Sequence, residues 1–155
     1  MSRSARSGRC AIGRKNDGSS TPRTEAIRGL FEKPGIQAEV SSNIVDTLWS
    51  KLVSVGAIGT LMTAARASLP EILASPHGEA TIRMLMEEIV AVGQSQGVTF
   101  PPRCVESKLE GAKAEADEFQ SSLQYDLSIG KPLELDELLG AARRVQAVFR
   151  STGRT

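Results

Sequence analysis

The chain has 155 residues, 40% hydrophobic and 24% charged, which is enough for one globular domain but short for two. A net charge of +1 and an aromatic content of 4% exclude the basic surface and stacking side chains typical of nucleic-acid-binding proteins. No apolar run approaches the roughly 20 residues that span a bilayer, and Cys10 and Cys104 form no zinc pattern. We therefore predict two free thiols and no nucleic-acid, membrane or metal partner.

The first residues are basic. MSRSARSGRCAIGRK carries five cations and no acid, and it is rich in serine and arginine. This composition is typical of an organelle transit peptide, and it fits a disordered tail or a mis-assigned start equally well. We predict a disordered basic leader over residues 1–11 and a cytoplasmic protein, with an organelle as the alternative if the leader is a transit peptide.

Residues 12–42 predict one strand–helix–strand unit. AIG gives a short strand, TEAIRGLFEK a helix with Thr24 as a candidate cap, and IQAEVS a strand, because its side chains alternate between apolar and polar. One such unit cannot form a stable sheet alone. We therefore expect it to need neighbours that this chain does not contain.

A long apolar helix is predicted next, over NIVDTLWSKLVSVGAIGTLMTAAR, with Ser42 or Asn43 as its cap. Because it is apolar nearly all round, we place it in the middle of a core. Gly56 and Gly59 within it allow either the close approach of another backbone or a bend.

The remaining segments also predict helices. They are a short turn at ASLPEIL, helices at residues 79–96, about 104–114 and 122–129, and a final long helix whose apolar face contains Leu135, Leu138, Leu139, Ala142, Val145 and Phe149. Together they predict one helical bundle over residues 43–150.

Lys51 is the only charged side chain between Asp46 and Arg66. A lysine on a buried helix loses solvation, which favours its neutral form and makes it a useful proton donor near neutral pH. The alternative is that Lys51 extends to the surface at the one exposed edge of the helix.

Three polar residues near the end of the chain are further candidates for a functional site. Ser122 and Asp126 lie four residues apart on one helix face, and alone they suggest a cap and a solvated acid. Glu134 follows a Gly-Lys-Pro break at the start of the last helix, where the helix dipole favours an acid. A functional role for Glu134 requires that it face inward.

Other candidate sites are weaker. His77 lies in a loop without neighbouring His or Cys ligands. The clustered glycines of VGAIG lie in an apolar helix, so they do not form a phosphate-binding turn. Met62, Met84 and Met86 are interpreted as core residues.

Three segments resemble the ketopantoate reductase (2-dehydropantoate 2-reductase) family. GIQAEVSSNIVDTLWSKL is similar to its domain junction, EEIVAVGQSQGVTFP to a helix ending in Gly-Val and Pro, and SSLQYDLSIGKPLELDELLGA to its Ser-Ser-Met-x-x-Asp and Thr-Glu-Ile-Asp-x-x-Asn-Gly segment. The resemblance covers about residues 12–150. It implies a mainly α fold, with a helical bundle like the C-terminal domain of 6-phosphogluconate dehydrogenase, preceded by a small βαβ remnant of a Rossmann domain.

The resemblance also implies a function. The family reduces 2-dehydropantoate to pantoate with NADPH, in pantothenate and coenzyme A synthesis. By resemblance, Lys51 is the proton donor to the ketone oxygen, Glu134 holds and tunes that lysine, and Ser122 binds the substrate carboxylate. Asp126 matches a family acid with a structural role. The expected function is the substrate-side C-terminal domain of such an oxidoreductase; the alternative is a non-catalytic helical module that forms a homodimer.

The sequence also departs from the family pattern. Val55 and Gly59 stand where the family places asparagines, Phe119 replaces an amide, and Leu133 and Leu139 replace a Thr and an Asn. We therefore expect that the partner is a small 2-oxo acid that can differ from 2-dehydropantoate. The Gly-x-Gly-x-x-Gly motif that binds NADPH is absent, so we expect a fragment without the cofactor domain that is inactive alone.

Overall fold

The computed structural model describes residues 9–14, 20–32, 36–136 and 140. The elements in chain order are β1 (Arg9–Ile12), α1 (Pro22–Glu32), β2 (Gln37–Val40), α2 (Ile44–Ala65), α3 (Leu69–Ala74), α4 (Gly78–Ser95), α5 (Cys104–Ala114), a 3-10 turn (Ala116–Glu118) and α6 (Ser122–Ser128). The predicted mainly α class with a small βαβ unit is confirmed. The chain forms two compact units, one up to Leu48 and one from Trp49, which are described separately.

The first unit is the predicted βαβ arrangement. β1 and β2 are parallel, with Cys10 opposite Ala38 and Ile12 opposite Val40, and α1 packs against both strands. The two strands form a two-stranded sheet.

The predicted cap of α1 is wrong by three residues. The Thr24 N–H donates to Thr21 Oγ1 at 3.2 Å, and the Thr21 N–H donates to Thr24 Oγ1 at 2.8 Å. Thr21 is therefore the cap, and Thr24 lies buried within the helix. The reason is Pro22, which favours the first helical position because its missing N–H needs no partner there.

α2 has defined ends. Asn43, one of the two predicted caps, accepts through Oδ1 from the N–H groups of Val45 and Asp46 at 3.1 and 3.3 Å. At the other end Arg66 has a φ of 50°, and the Ala67 N–H donates to the Met62 carbonyl at 3.2 Å. A left-handed residue just after the last turn is a common way to end a helix.

The core of the second unit is built from four helices. α2 contributes Val53, Ala57, Ile58 and Met62 to one apolar cluster, and α3 to α5 contribute Leu69, Ile72, Ile82, Met86, Ile89, Val105, Leu109 and Ala112. α2 thus contributes to this core, as expected, but only seven of its 22 residues are buried, so it is not enclosed all round. Met62 and Met86 are buried as predicted, but Met84 is 53% exposed, because it lies about 200° around α4 from Ile82.

α2 bears on the prediction of no membrane partner. Among the described residues it is one helix that is long and apolar enough to cross a membrane by length and composition alone. A helix at the centre of a protein core meets the same criteria, and seven α2 residues are buried, so this is weak support for a membrane span.

Two predicted segments fall outside the described residues. These are most of the basic leader and most of the final helix, from 137 to 139 and beyond 140. Cys10 and Cys104 are both free thiols, as expected.

Candidate functional site

The candidate site begins where α6 meets α2. Ser121 caps α6, accepting from the Gln124 N–H at 3.4 Å. Its Oγ lies 2.9 Å from the position that a Cβ on Gly59 would occupy. Of the two alternatives for Gly59, close approach is therefore the one that the structure shows, since no larger side chain fits beneath Ser121 as it stands.

A second contact joins α6 to the turn that follows α2. Gln124 Nε2 donates to the carbonyl of Ala67, just beyond the end of α2, at 3.0 Å. Leu123 is buried at 3% exposure, so α6 is anchored by an apolar side chain as well as by polar contacts.

An open groove of about 790 Å³ runs beside α6. Its lining residues are Phe119, Gln120, Ser121, Ser122, Gln124, Tyr125 and Ser128. Hydroxyl and amide groups are neutral hydrogen-bonding groups, which suit a small polar ligand such as a carboxylate. Ser122, one of the predicted site residues, lines this groove and is exposed.

Lys51 is exposed on α2. This is the second of the two alternatives, in which the ammonium reaches the surface. Gly59 lies two helical turns further on, about 12 Å along the helix axis and about 80° around it. Within the described part of the chain, Lys51 makes no ion pair, and the residue is exposed to solvent.

Glu134 is also exposed, in the segment after α6. Among the described residues, no hydrogen bond or ion pair joins Glu134 to Lys51, or either of them to Ser122. The inward direction that a functional role for Glu134 requires is therefore not seen in this structure. Asp126 is half-buried on α6.

Shifted carboxyl pKa values occur away from these residues. Hydrogen bonds from the Ser68 hydroxyl and the Ser68 backbone N–H lower the pKa of Glu71. Ser68 and Glu71 together form the capping box of α3. A hydrogen bond from Lys113 lowers the pKa of Glu79. Both shifts have structural explanations.

No cluster of metal ligands occurs in the described ranges. His77 is exposed immediately before α4, and it makes no side-chain cap there. This agrees with its interpretation as a loop residue.

Sequence reasoning missed Ser121 and Gln124. The signal was present, since Ser121 and Gln124 form the S-x-x-Q pattern of a capping box. Half of that pattern is realised, because Ser121 accepts from the Gln124 N–H. The Gln124 side chain instead reaches Ala67, a partner that only the tertiary structure reveals.

Comparison with known proteins identifies relatives. Residues 43–147 match the family described as ketopantoate reductase PanE/ApbA C terminal. The chain is 32% identical over 129 residues to a 2-dehydropantoate 2-reductase of Mesorhizobium japonicum, covering 81% of this chain and 39% of that relative.

Two solved structures are similar. A dimeric ketopantoate reductase from Staphylococcus aureus aligns with a TM-score of 0.80 and 22% identity, over 97% of this chain and 49% of that one. A PanE/ApbA family ketopantoate reductase from Ralstonia eutropha JMP134 aligns with a TM-score of 0.77 and 26% identity, over 96% and 46%. The chain thus spans less than half the length of these relatives, and the matched region includes Lys51, Ser122 and Glu134.

Proposed function

Because this chain belongs to the ketopantoate reductase PanE/ApbA C-terminal family, we propose that it is the substrate-side helical domain of an NADPH-dependent 2-oxo acid reductase. The substrate is 2-dehydropantoate or a related 2-oxo acid, and the product is the 2-hydroxy acid. The observation that carries the proposal is the family match over residues 43–147, which contains all three predicted site residues. The setting that we propose is pantothenate synthesis in the cytoplasm.

The chemistry assigns a role to each residue. Reduction of a ketone adds a hydride to the carbonyl carbon, which NADPH supplies when bound, and a proton to the oxygen. An ammonium stabilises the negative charge that develops on that oxygen and can deliver the proton. Lys51 is exposed and free of ion pairs among the described residues, so it is available to a bound substrate.

Ser122 is proposed to bind the substrate carboxylate. Its hydroxyl lines the groove beside α6, and a hydroxyl donates well to a carboxylate oxygen. Glu134 is proposed to hold Lys51 when the substrate is bound. The two side chains are not in contact here, so this role requires the segment after α6 to adjust.

The cofactor does not fit the described residues of this chain. β1 ends at Ile12, and the following glycine, Gly13, packs against a side chain: a Cβ there would lie 2.7 Å from Ile44 Cβ. The Gly-x-Gly-x-x-Gly pattern that leaves room for a pyrophosphate is absent from this turn. We propose that residues outside this chain hold the NADPH.

The test is ligand binding to the 155-residue chain. We expect saturable binding of 2-dehydropantoate, followed by backbone NMR shifts, and no binding of NADPH. Lys51→Met and Ser122→Ala should each weaken 2-oxo acid binding about tenfold, which corresponds to about 1.4 kcal/mol for one lost charge-assisted hydrogen bond. Lys108→Met, a half-exposed lysine of α5, is the matched control and should bind normally.

Two results would contradict the proposal. One is an absence of binding by 2-dehydropantoate and simpler 2-oxo acids at millimolar concentration. The other is equal weakening by Lys51→Met and Lys108→Met, because this would show a general charge effect. Saturable NADPH binding would overturn only the assignment of the cofactor site.

A non-catalytic homodimer is the second candidate. It is supported by large apolar side chains exposed in the described part of the second unit, including Met84 at 53% and Tyr125 at 63%. Exposed apolar surface of this kind is common at interfaces. Sedimentation equilibrium would show concentration-dependent dimers, together with a failure to bind 2-oxo acids, if this candidate is correct.

A further inference from the structure

We propose that Gln124 is a positioning residue, whose amide holds the first turn of α6 on the end of α2 and so sets the place of the Ser122 hydroxyl. The inference rests on the proposed function, because it concerns the predicted carboxylate-binding group. The observation that supports it does not depend on the family match. The Gln124 side chain donates a hydrogen bond of 3.0 Å to the carbonyl of Ala67, 57 positions earlier in the chain.

Ser122 lies between two contacts with α2 and its C-terminal turn. On one side Ser121 sits over the bare backbone of Gly59. On the other side Gln124 binds Ala67. Two contacts at different points along a helix fix both its position and its rotation, whereas either one alone would leave the first turn free to pivot.

α6 depends on such contacts because it is short. It has seven residues, and a helix of this length has little stability of its own in water. Leu123 supplies apolar burial, but apolar contacts are not directional. The hydrogen bond of Gln124 is directional, so it fixes the orientation of α6. The Ser122 hydroxyl is thereby oriented to donate to a carboxylate.

The acceptor is held rigidly. Ala67 follows Arg66, whose left-handed φ of 50° turns the chain out of the helix, and its own N–H donates to the Met62 carbonyl. Met62 is 1% exposed in the core. The Ala67 carbonyl is therefore fixed relative to the packed end of α2. The hydrogen bond of Gln124 to this carbonyl in turn fixes the groove residues of α6 relative to α2.

The experiment compares three variants of the full 155-residue chain. Gln124→Met keeps the length of the side chain but removes the donor, Gln124→Lys keeps a donor, and Gln94→Met changes an exposed glutamine of α4 as the matched control. Two quantities are measured: the Kd for 2-dehydropantoate by NMR titration, and the hydrogen exchange of α6 amides.

We expect Gln124→Met to raise the Kd about tenfold, the effect of losing one well-placed hydrogen bond, and to speed exchange in α6 while α4 and α5 stay protected. Gln124→Lys should restore both quantities to within about twofold of the parent chain, since a donor is again present. Gln94→Met should change neither quantity.

The inference is overturned if Gln124→Met leaves the Kd and the α6 exchange unchanged, if it speeds exchange equally in all helices, or if Gln124→Lys fails to rescue. Failure of the parent chain to bind any 2-oxo acid would contradict the proposed function instead. The exchange data and their rescue would then decide alone whether Gln124 holds α6.

Discussion

The two units differ in how many of their side chains are buried. In the unit from Trp49, four helices share a continuous core in which Val53, Ile58 and Ile82 are completely buried. In the unit up to Leu48, the half-buried and exposed residues alternate along β2, and α1 buries a single residue, Thr24. The helical unit thus has a core large enough to support its own fold. The βαβ unit leaves most of its residues half-buried or exposed, which is typical of a sheet that packs against further elements.

This difference bears on the proposed function. Parallel sheets are normally covered on both faces, and the two-stranded sheet described here has α1 packed against it. The residues proposed to bind the 2-oxo acid lie in the helical unit, which has a packed core. We therefore expect substrate binding to survive in this chain, even where cofactor binding does not.

The largest effect should come from emptying the helical core. Ile82→Ala should lower the free energy of unfolding by about 2–5 kcal/mol, because a buried isoleucine loses its contacts and leaves a cavity. Ile12→Ala, on half-buried β1, is the counterpart and should cost about 1 kcal/mol. Urea denaturation followed by circular dichroism measures both. Equal losses would show that the βαβ unit is packed as tightly as the bundle.

Glycine substitutions should give the next largest effect. Gly111→Ala in α5 and Gly29→Ala in α1 meet open space, so each should stabilise its unit by about 1 kcal/mol through helix propensity. Gly59→Ala should not stabilise, because its new Cβ displaces the Ser121 hydroxyl and weakens a cap worth about 1 kcal/mol.

A double variant sharpens this comparison. When Ser121→Ala has already removed the hydroxyl, Gly59→Ala should recover a gain similar to that of Gly111→Ala, as measured by thermal unfolding. A gain from Gly59→Ala in the parent chain would show instead that α6 does not rest on this glycine.

The smallest effect should come from surface ion pairs, and it should depend on pH. Lys113 lowers the pKa of Glu79 below its ordinary value of 4.5 and joins α5 to α4 at 2.7 Å. The stabilisation is present above that value and is lost as the pH falls through the lowered pKa, since the carboxylate is then protonated. Lys113→Gln should therefore lower the Tm at pH 7 but not at pH 2.

The matched variant lies in the other unit. Arg28→Gln removes the partner of Glu25 and Glu32 within α1. We expect a smaller change in Tm than for Lys113→Gln, because these pairs lie within one helix and join no other element. A Tm difference for Lys113→Gln that persists at pH 2 would exclude the ion pair as its cause.

The spacing of apolar residues, together with the prolines and glycines that end helices and strands, predicted most of the fold. The limits of α5 agree with the prediction, because Pro101 and Pro102 precede it and Cys104, Val105 and Leu109 repeat at helical spacing. The error at Thr24 arose because four hydroxyl residues, Ser19, Ser20, Thr21 and Thr24, lie close to Pro22, and the position of the proline decides among them. Met84 was misplaced by residue type, although helical spacing already set it opposite Ile82.

The candidate site was less predictable, because it depends on contacts between distant parts of the chain. A glycine in an apolar helix indicates close approach without naming the partner, and Ser121 lies 62 positions after Gly59. The S-x-x-Q pattern at Ser121 is typical of a cap and went unused, and even that pattern does not predict that the Gln124 side chain donates to the Ala67 carbonyl. The roles of Lys51, Ser122 and Glu134 stay predictions that rest on family resemblance.

The outward position of Met84 has a chemical consequence. A mild oxidant such as hydrogen peroxide reaches an exposed thioether first, and the sulfoxide that forms there adds a polar oxygen where water is already present. The same modification of Met62 or Met86 would place that oxygen inside the bundle, but their sulfur atoms are shielded while the chain stays folded. Packing thus directs oxidative damage to the one of these three methionines at which it does least harm.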